Sequence, residues 1–404
     1  MNKYKTQDGF FEDGRKLRIL VCPANEGGCA YYRAIMPYNK LAELYPNVVE
    51  VRQDMNPLGL VASSGEWEQD FTFENMKWAD VVLVNNISNF GGPYTARIVG
   101  KAREFGKIVQ FDTDDLLTNL YKGHRLEEVY EKHGLSDITK FLYQNSQIVS
   151  VTQRKFADRI APFCNGMIAV IKNSIDYTLP AWNVPRVAPP RKHYCRFGWA
   201  GGIHHEEDIK EFSGVPHYVN QRLGTKNCRW DFIGHPPPPE KGQKPDWQHD
   251  VWKNYMKILL RGFRGENNYG AHYAMPCDMY GQYYANMDVS LAPLQMNDFN
   301  DSKSEIKVAE CGRYGIPLVA SNVGCYSETI KNGITGWLID PGAPPSDWVK
   351  ILTKIGKDKK WREEMGSNLR ELANEYFDVN NTVHLRFDLY EDALNTKGGK
   401  KLES

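Results

Sequence analysis

Lys303, Ser304, Lys307 and Glu310 lie close together in the run NDSKSEIKVAECGRYGIPLVAS. A helix starting near Ser304 puts Lys307 and Glu310 on one face, because residues three apart are neighbours there. Lys303, Lys307 and the free amides of the first turn then form an anion site. Glu310, about two turns in, can accept hydrogen bonds from two hydroxyls of a ribose. The same spacing also describes a solvated amphipathic helix with ordinary Lys/Glu pairing.

Two glycine pairs carry related chemistry. Gly27 and Gly28 occur in PANEGGCAYYR, and Gly201 and Gly202 in RFGWAGGIHHEEDI, each directly after a β-branched or aromatic run. Glycines there let backbone N–H groups approach a phosphate at a helix start, although turn glycines look the same. Arg33 either reaches that phosphate or an acceptor, or forms a structural ion pair. His205, with His204, stands beside Glu206, Glu207 and Asp208, where the acidic residues serve equally as helix-dipole partners. The DTDD cluster supplies Asp112, Asp114 and Asp115 after another strand-like run, and a carboxylate so placed can act as a general base.

The elements that must position these residues alternate as βαβ units do. Strands are expected at 17–22, 48–51, 81–85, 108–111, 148–151 and 167–171, then at 196–199, 230–233, 289–292, 317–320 and 337–339. Between them YTLPAWNVPRVAPPRKHYC carries four prolines, which remove backbone donors and disfavour helix. The expected architecture is α/β: two Rossmann-like doubly wound domains facing a central cleft, where open α/β sheets bind ligands. The boundaries are 1–180, a linker at 181–195, a second domain at 196–376 and a C-terminal helix at 377–404 packing back on the first domain. The stretch 235–269 reads as an insertion mixing Trp247, Trp252, Tyr255 and Phe263 with Lys253, Lys257, Arg261 and Arg264. Such residues stack bases and track phosphates, or form a small subdomain that buries Trp252, Met256 and Leu259 or Leu260.

In order along nearly the whole chain, the sequence resembles the family-four type of GT-B glycosyltransferases, also called glycosyl transferases group 1. The resemblance rests on KSxxKxxE followed by GxPxVAS (Lys303, Ser304, Lys307, Glu310, then Gly315, Pro317, Val319, Ala320 and Ser321). It also rests on the GG loop with YYR and Pro37, on GKIVQFDTDDLL, on Asn173 to Asp176, on GWAGG with His205 and Asp208, and on YYANMDVSLAPL. It implies a nucleotide-diphosphate sugar, a UDP-sugar first of all, bound mainly by the second domain. Glu310 would hold the ribose, and Lys307 with the glycine loops the diphosphate. In the family a His or Asp sits near the DTDD position, and Asp114 is the best match to it. No metal or other cofactor is then required. Where the family commonly has a first glutamate, separated by seven residues from the one matched by Glu310, this chain has Ser302.

Composition narrows the alternatives. The 404 residues are 41% hydrophobic and 25% charged, with 50 basic and 50 acidic side chains, so disordered and wholly basic nucleic-acid-coating classes are excluded. The eight cysteines show no CxxC pair and read as free thiols. The start of the chain lacks an apolar leader and no stretch is long and apolar enough to span a bilayer. The expected location is the cytoplasm, or the host's cytoplasm if the chain is phage-encoded. The expected activity is transfer of a hexose or pentose to a hydroxyl of a saccharide or glycan, or of a hydroxymethylated base in phage DNA. The other readings are a GT-B sugar-nucleotide epimerase and a non-catalytic nucleotide or nucleic-acid binding protein.

Overall fold

The computed structural model describes residues 4, 7–61, 65–68, 70–191, 193–237, 247–263 and 267–399. The chain divides into two compact units. The first is Met1–Asp176 with Ser302–Ser304 and Tyr376–Ser404, and the second is Tyr177–Asp301 with Glu305–Glu375.

The strands of the first unit are β1 (Leu17–Cys22), β2 (Val49–Gln53), the short pair β3 (Leu60–Val61) and β4 (Glu66–Trp67), β5 (Val81–Asn85), β6 (Ile108–Asp112), β7 (Ile148–Val151) and β8 (Met167–Val170). Six of them form a parallel sheet in the order β2-β1-β5-β6-β7-β8, while β3 and β4 pair antiparallel apart from it. The runs are β-branched and β5, β6 and β7 are buried throughout, as strands covered by helices on both faces must be. Leu20, Val82, Val84, Phe111 and Val149 share one cluster with Ile98 and Val99 of the Gly92–Glu104 helix.

The second unit repeats the design with β9 (Cys195–Ala200), β10 (Cys228–His235), β11 (Tyr269–Tyr273), β12 (Val289–Ala292), β13 (Leu318–Ser321) and β14 (Gly336–Ile339), all parallel, ordered β11-β10-β9-β12-β13-β14. Its core joins Phe197, Trp230 and Leu291 to Trp348 and Leu352 of the Pro345–Lys357 helix. Both expected sheets are present. In each, the strand order reverses beside the first strand, so the topological switch points lie beyond the carboxyl ends of β1 and β9.

Three expectations change. The stretch 235–269 is the crossover between β10 and β11, not an insertion, and its Trp247–Leu259 helix buries Val251, Trp252, Tyr255 and Leu259 in the core. Pro238, Pro239 and Arg264 lie outside the described residues. The helix bearing Lys307 starts at Ile306, with Glu305 at its cap, two residues later than expected. The proline-rich stretch is packed: Trp182 is buried and stacks on Tyr284 at 6.2 Å, and the Val187 N–H bonds to the Ala285 carbonyl. The final segment belongs to the first unit, where the Ile175 and Asp378 backbones bridge. Among the described residues no helix is long and apolar enough to cross a membrane.

Candidate donor and acceptor sites

In the second unit, Ala200 ends β9 at the switch point, and the loop Gly201, Gly202, Ile203, His204 and His205 follows. Lys307, in the first turn of the Ile306–Arg313 helix, hydrogen-bonds the Ala200 carbonyl, so its ammonium sits at the mouth of that loop. A Cβ at Gly201 would lie 2.6 Å from the Trp199 indole, whereas one at Gly202 would meet nothing within 4 Å. Packing therefore explains Gly201 but not Gly202. His205 closes the loop, bonding Asp208 at 2.7 Å through Nδ1. Asp208 is buried and also accepts from the Gln295 backbone at 2.9 Å and the Asn300 amide at 2.8 Å. A carboxylate so committed orients His205 and ties the glycine loop to the loop after β12.

Glu310 lies one turn beyond Lys307 and is buried, accepting a 2.6 Å hydrogen bond from the Tyr284 hydroxyl. Burial pushes its carboxyl up, opposed by Lys307 and the Tyr284 bond. The Tyr284 hydroxyl occupies Oε2 alone, so the carboxylate keeps acceptor capacity. Tyr284 was not singled out from sequence; its signal was the YYAN run just before β12.

The first unit gathers the other group. Gly27 caps the short Gly28–Ala30 helix, which passes through a π turn (Tyr31–Ile35) into Met36–Leu44. The Gly27 N–H is taken by the Asn25 side chain at 2.7 Å. Cys29, within that short helix, brings its thiol to Asp114 and Asp115, with one ligand atom of each within 4.8 Å of the others. Asp114 follows β6, is 7% exposed, and receives a 3.4 Å contact from the Asn86 amide at the end of β5. Its carboxyl is pushed up to about 6, first by burial and then by Asp115, against the pull of Arg33. A carboxylate in that range suits general-base work near neutral pH. Asn86 has φ 55, a left-handed conformation that Asn tolerates, and this turns its side chain back toward Asp114. Sequence reasoning missed Cys29 and Asn86, although both stand just past strand ends at a switch point.

Arg33 and Asp112 engage each other. Arg33 is 1% exposed and grips Asp112 in a fork at 2.9 and 2.5 Å, while its remaining nitrogen reaches the Ile171 carbonyl and Asn173. From Asp112 the chain of bonds continues to Ser150 at 2.6 Å, Gln110 at 2.8 Å and Tyr390 at 2.6 Å. In the other direction Asn173 donates to Ser304 at 3.0 Å. Lys303 pairs with Asp115 at 3.3 Å, and Ser302 is fully buried, accepting from Arg159 at 3.3 Å. The structure thus groups Gly201, Gly202, His205 and Lys307 in the second unit. It places Lys303 and Ser304 with Asp115 and Asn173 in the first.

Residues 278–372 match the family described as "Glycosyl transferases group 1". A D-inositol 3-phosphate glycosyltransferase from Paenarthrobacter aurescens is 33% identical over 113 residues, which are 28% of this chain and 26% of that protein. One from Corynebacterium kroppenstedtii is 34% identical over 96 residues, 24% of this chain and 21% of that protein. These matches span about a quarter of the relatives' length. Among solved structures, sucrose-phosphate synthase from Thermosynechococcus elongatus superposes with TM-score 0.65 at 13% identity, covering 95% of this chain and all of that one. HepE from Anabaena, in complex with UDP and glucose, gives 0.56 at 15% identity, covering 93% of this chain and all of that one. The chain therefore has the GT-B fold of these structures, two Rossmann-like domains, and its residues 278–372 are similar to glycosyl transferases group 1.

Proposed function

We propose that the protein is a glycosyltransferase that moves a hexose or pentose from a UDP-sugar to an acceptor hydroxyl. One observation carries this reading: Lys307 and Glu310 project from one helix, the ammonium at the Gly201–Gly202 loop and the carboxylate buried one turn away. That spacing suits a diphosphate on the loop amides and Lys307, with the ribose hydroxyls on Glu310. Negative charge grows on the leaving diphosphate as the glycosidic C–O bond breaks, and preorganised amides and an ammonium stabilise it most there. Asp114 takes the proton of the attacking hydroxyl. This assigns charge stabilisation to the chain's own groups and asks nothing of a metal.

HepE has been solved with UDP and with UDP-glucose, which favours uridine as the base. For the acceptor we favour a saccharide or polyol hydroxyl, in keeping with the inositol phosphate named for the relatives. A base in DNA has less support, because Trp252 and Tyr255, the aromatics that suggested base stacking, belong to the core.

A thermal-shift series of UDP, GDP, ADP and their sugar conjugates tests the donor side. A ligand at a hundred times its dissociation constant adds about 2.7 kcal/mol of stability. Uridine compounds should stabilise the protein, and much less so after Lys307→Ala. A flat response to every nucleotide would sink the reading. Turnover of a UDP-sugar to its epimer without any acceptor would replace transfer by epimerisation.

A further inference from the structure

The second sheet has another charged cavity, at the edge opposite Lys307. Arg196 is the second residue of β9, and Asp288 immediately precedes β12. β9 is six residues long, so this edge is about 17–20 Å from the Gly201–Gly202 loop. The cavity holds about 130 Å³ and is lined by Arg186, Arg196, Lys359 and Arg362, with Asp288 and Glu363 as its carboxylates among the described residues.

The pairing inside it is lopsided. Asp288 serves two guanidiniums, Arg186 at 3.0 Å and Arg196 through two bonds of 3.0 Å. Arg362 spends Nη1 on the Ile355 and Gly356 carbonyls, at the end of the Pro345–Lys357 helix. Among the described residues, no protein acceptor meets Arg196 Nη1 or Nε and Nη2 of Arg362. A guanidinium carries five N–H donors, so fixed donors remain for an oxyanion. Arg186 comes from the proline-rich stretch and is about a third exposed, which leaves the cavity open to solvent. Burial, together with repulsion from Arg196, Arg370 and Arg362, holds its guanidinium below the usual range despite Asp288.

We propose that this cavity is a second anion site, which takes a phosphate group on Arg186, Arg196, Arg362 and Lys359. Its volume fits the phosphate itself, so the source is either inorganic phosphate or the phosphate of a phosphorylated metabolite. An anion there relieves the repulsion among the guanidiniums and joins the proline-rich stretch to the Lys359–Tyr376 helix that carries Lys359 and Arg362. It is independent of the proposed donor site.

The test titrates inorganic phosphate and glycerol phosphate into the full-length protein, with chloride at matched ionic strength as control, by calorimetry and melting temperature. The titrations are repeated in Lys307→Ala to remove anion binding at the glycine loop. Phosphate should stabilise the wild type beyond chloride, and equally so in Lys307→Ala. Its affinity should weaken about tenfold or more in Arg186→Gln and in the half-exposed Lys359→Ala. Tighter binding of glycerol phosphate would assign the site to a metabolite, and tighter binding of phosphate to the free ion. The proposal is overturned if phosphate does no more than chloride, or if its effect vanishes in Lys307→Ala and persists in both cavity variants.

Discussion

Gly202 and Asp114 make opposite demands on stability and function. A methyl group at Gly202 meets nothing in the protein, so Gly202→Ala should leave the melting temperature within a degree or two while weakening UDP. Gly201→Ala presses on the Trp199 indole and should cost about 1–3 kcal/mol in urea unfolding. Equal loss of stability in both would remove the argument that a ligand's approach keeps Gly202 small. Asp114 has its pKa raised from 3.8 to about 6, so the folded state binds its proton more tightly than the unfolded chain. Stability from this group therefore falls as pH rises through the window from about 4 to 6, and the penalty is complete above it. Asp114→Asn should raise stability at pH 8 by something on the order of 2 kcal/mol, raise it little at pH 4, and abolish transfer. For the wild type, kcat/KM should fall about tenfold per pH unit below roughly 6. An Asn variant whose gain over the wild type is no larger at pH 8 than at pH 4 would contradict the buried, ionised carboxylate.

Inside the first unit, β6 carries two side chains of a buried polar chain running from Tyr390 through Gln110, Ser150, Asp112, Arg33 and Asn173 to Ser304. Removing one end of a buried ion pair leaves the other charge uncompensated, so Arg33→Met should cost about 3–5 kcal/mol. Replacing both, Arg33→Met with Asp112→Leu, should recover much of that loss in a double-mutant cycle. Full additivity of the two would show that the pair is not coupled. Sequence pattern located β1, β5, β6 and β7 because each is a mostly apolar run buried almost throughout, and it located the half-buried edge strand β8 from its apolar run MIAV. It missed β11, whose YGAHY pattern alternates exposed and half-buried positions at a sheet edge. Without that strand, its crossover helix looked like an insertion. The placement of Lys307 and Glu310 one turn apart on a single helix was legible from helical spacing. The Arg33–Asp112 fork and the Cys29, Asn86 and Asp114 group were not, since they join residues far apart in sequence, which only the sheet order brings together.

At the scale of the whole chain, the division into units does not follow sequence order. Residues 376–404 come after the helices of the second unit yet belong to the first, where the Leu385–Gly399 helix supplies Phe387 and Tyr390 to the core. Phe387 is fully buried and touches Tyr4, Phe10 and Tyr45, with ring centroids 4.6, 5.9 and 5.2 Å away. Tyr390 meets the Tyr38 hydroxyl at 2.5 Å and caps the polar chain at Gln110. Deleting a buried aromatic costs about 3–5 kcal/mol, a large share of the 5–15 kcal/mol that usually holds a domain together. Phe387→Ala should therefore lower the unfolding transition of the first unit by several degrees in calorimetry. Lys307 and Glu310, the groups proposed to hold the donor, belong to the second unit, so on that reading UDP should still raise that unit's transition by the wild-type amount. The contrast separates a tail that holds the first unit together from one that shapes the donor pocket. If Phe387→Ala instead left the melt intact and cost UDP affinity, the tail would belong to donor binding, and the assignment of Phe387 to the core of the first unit would fail.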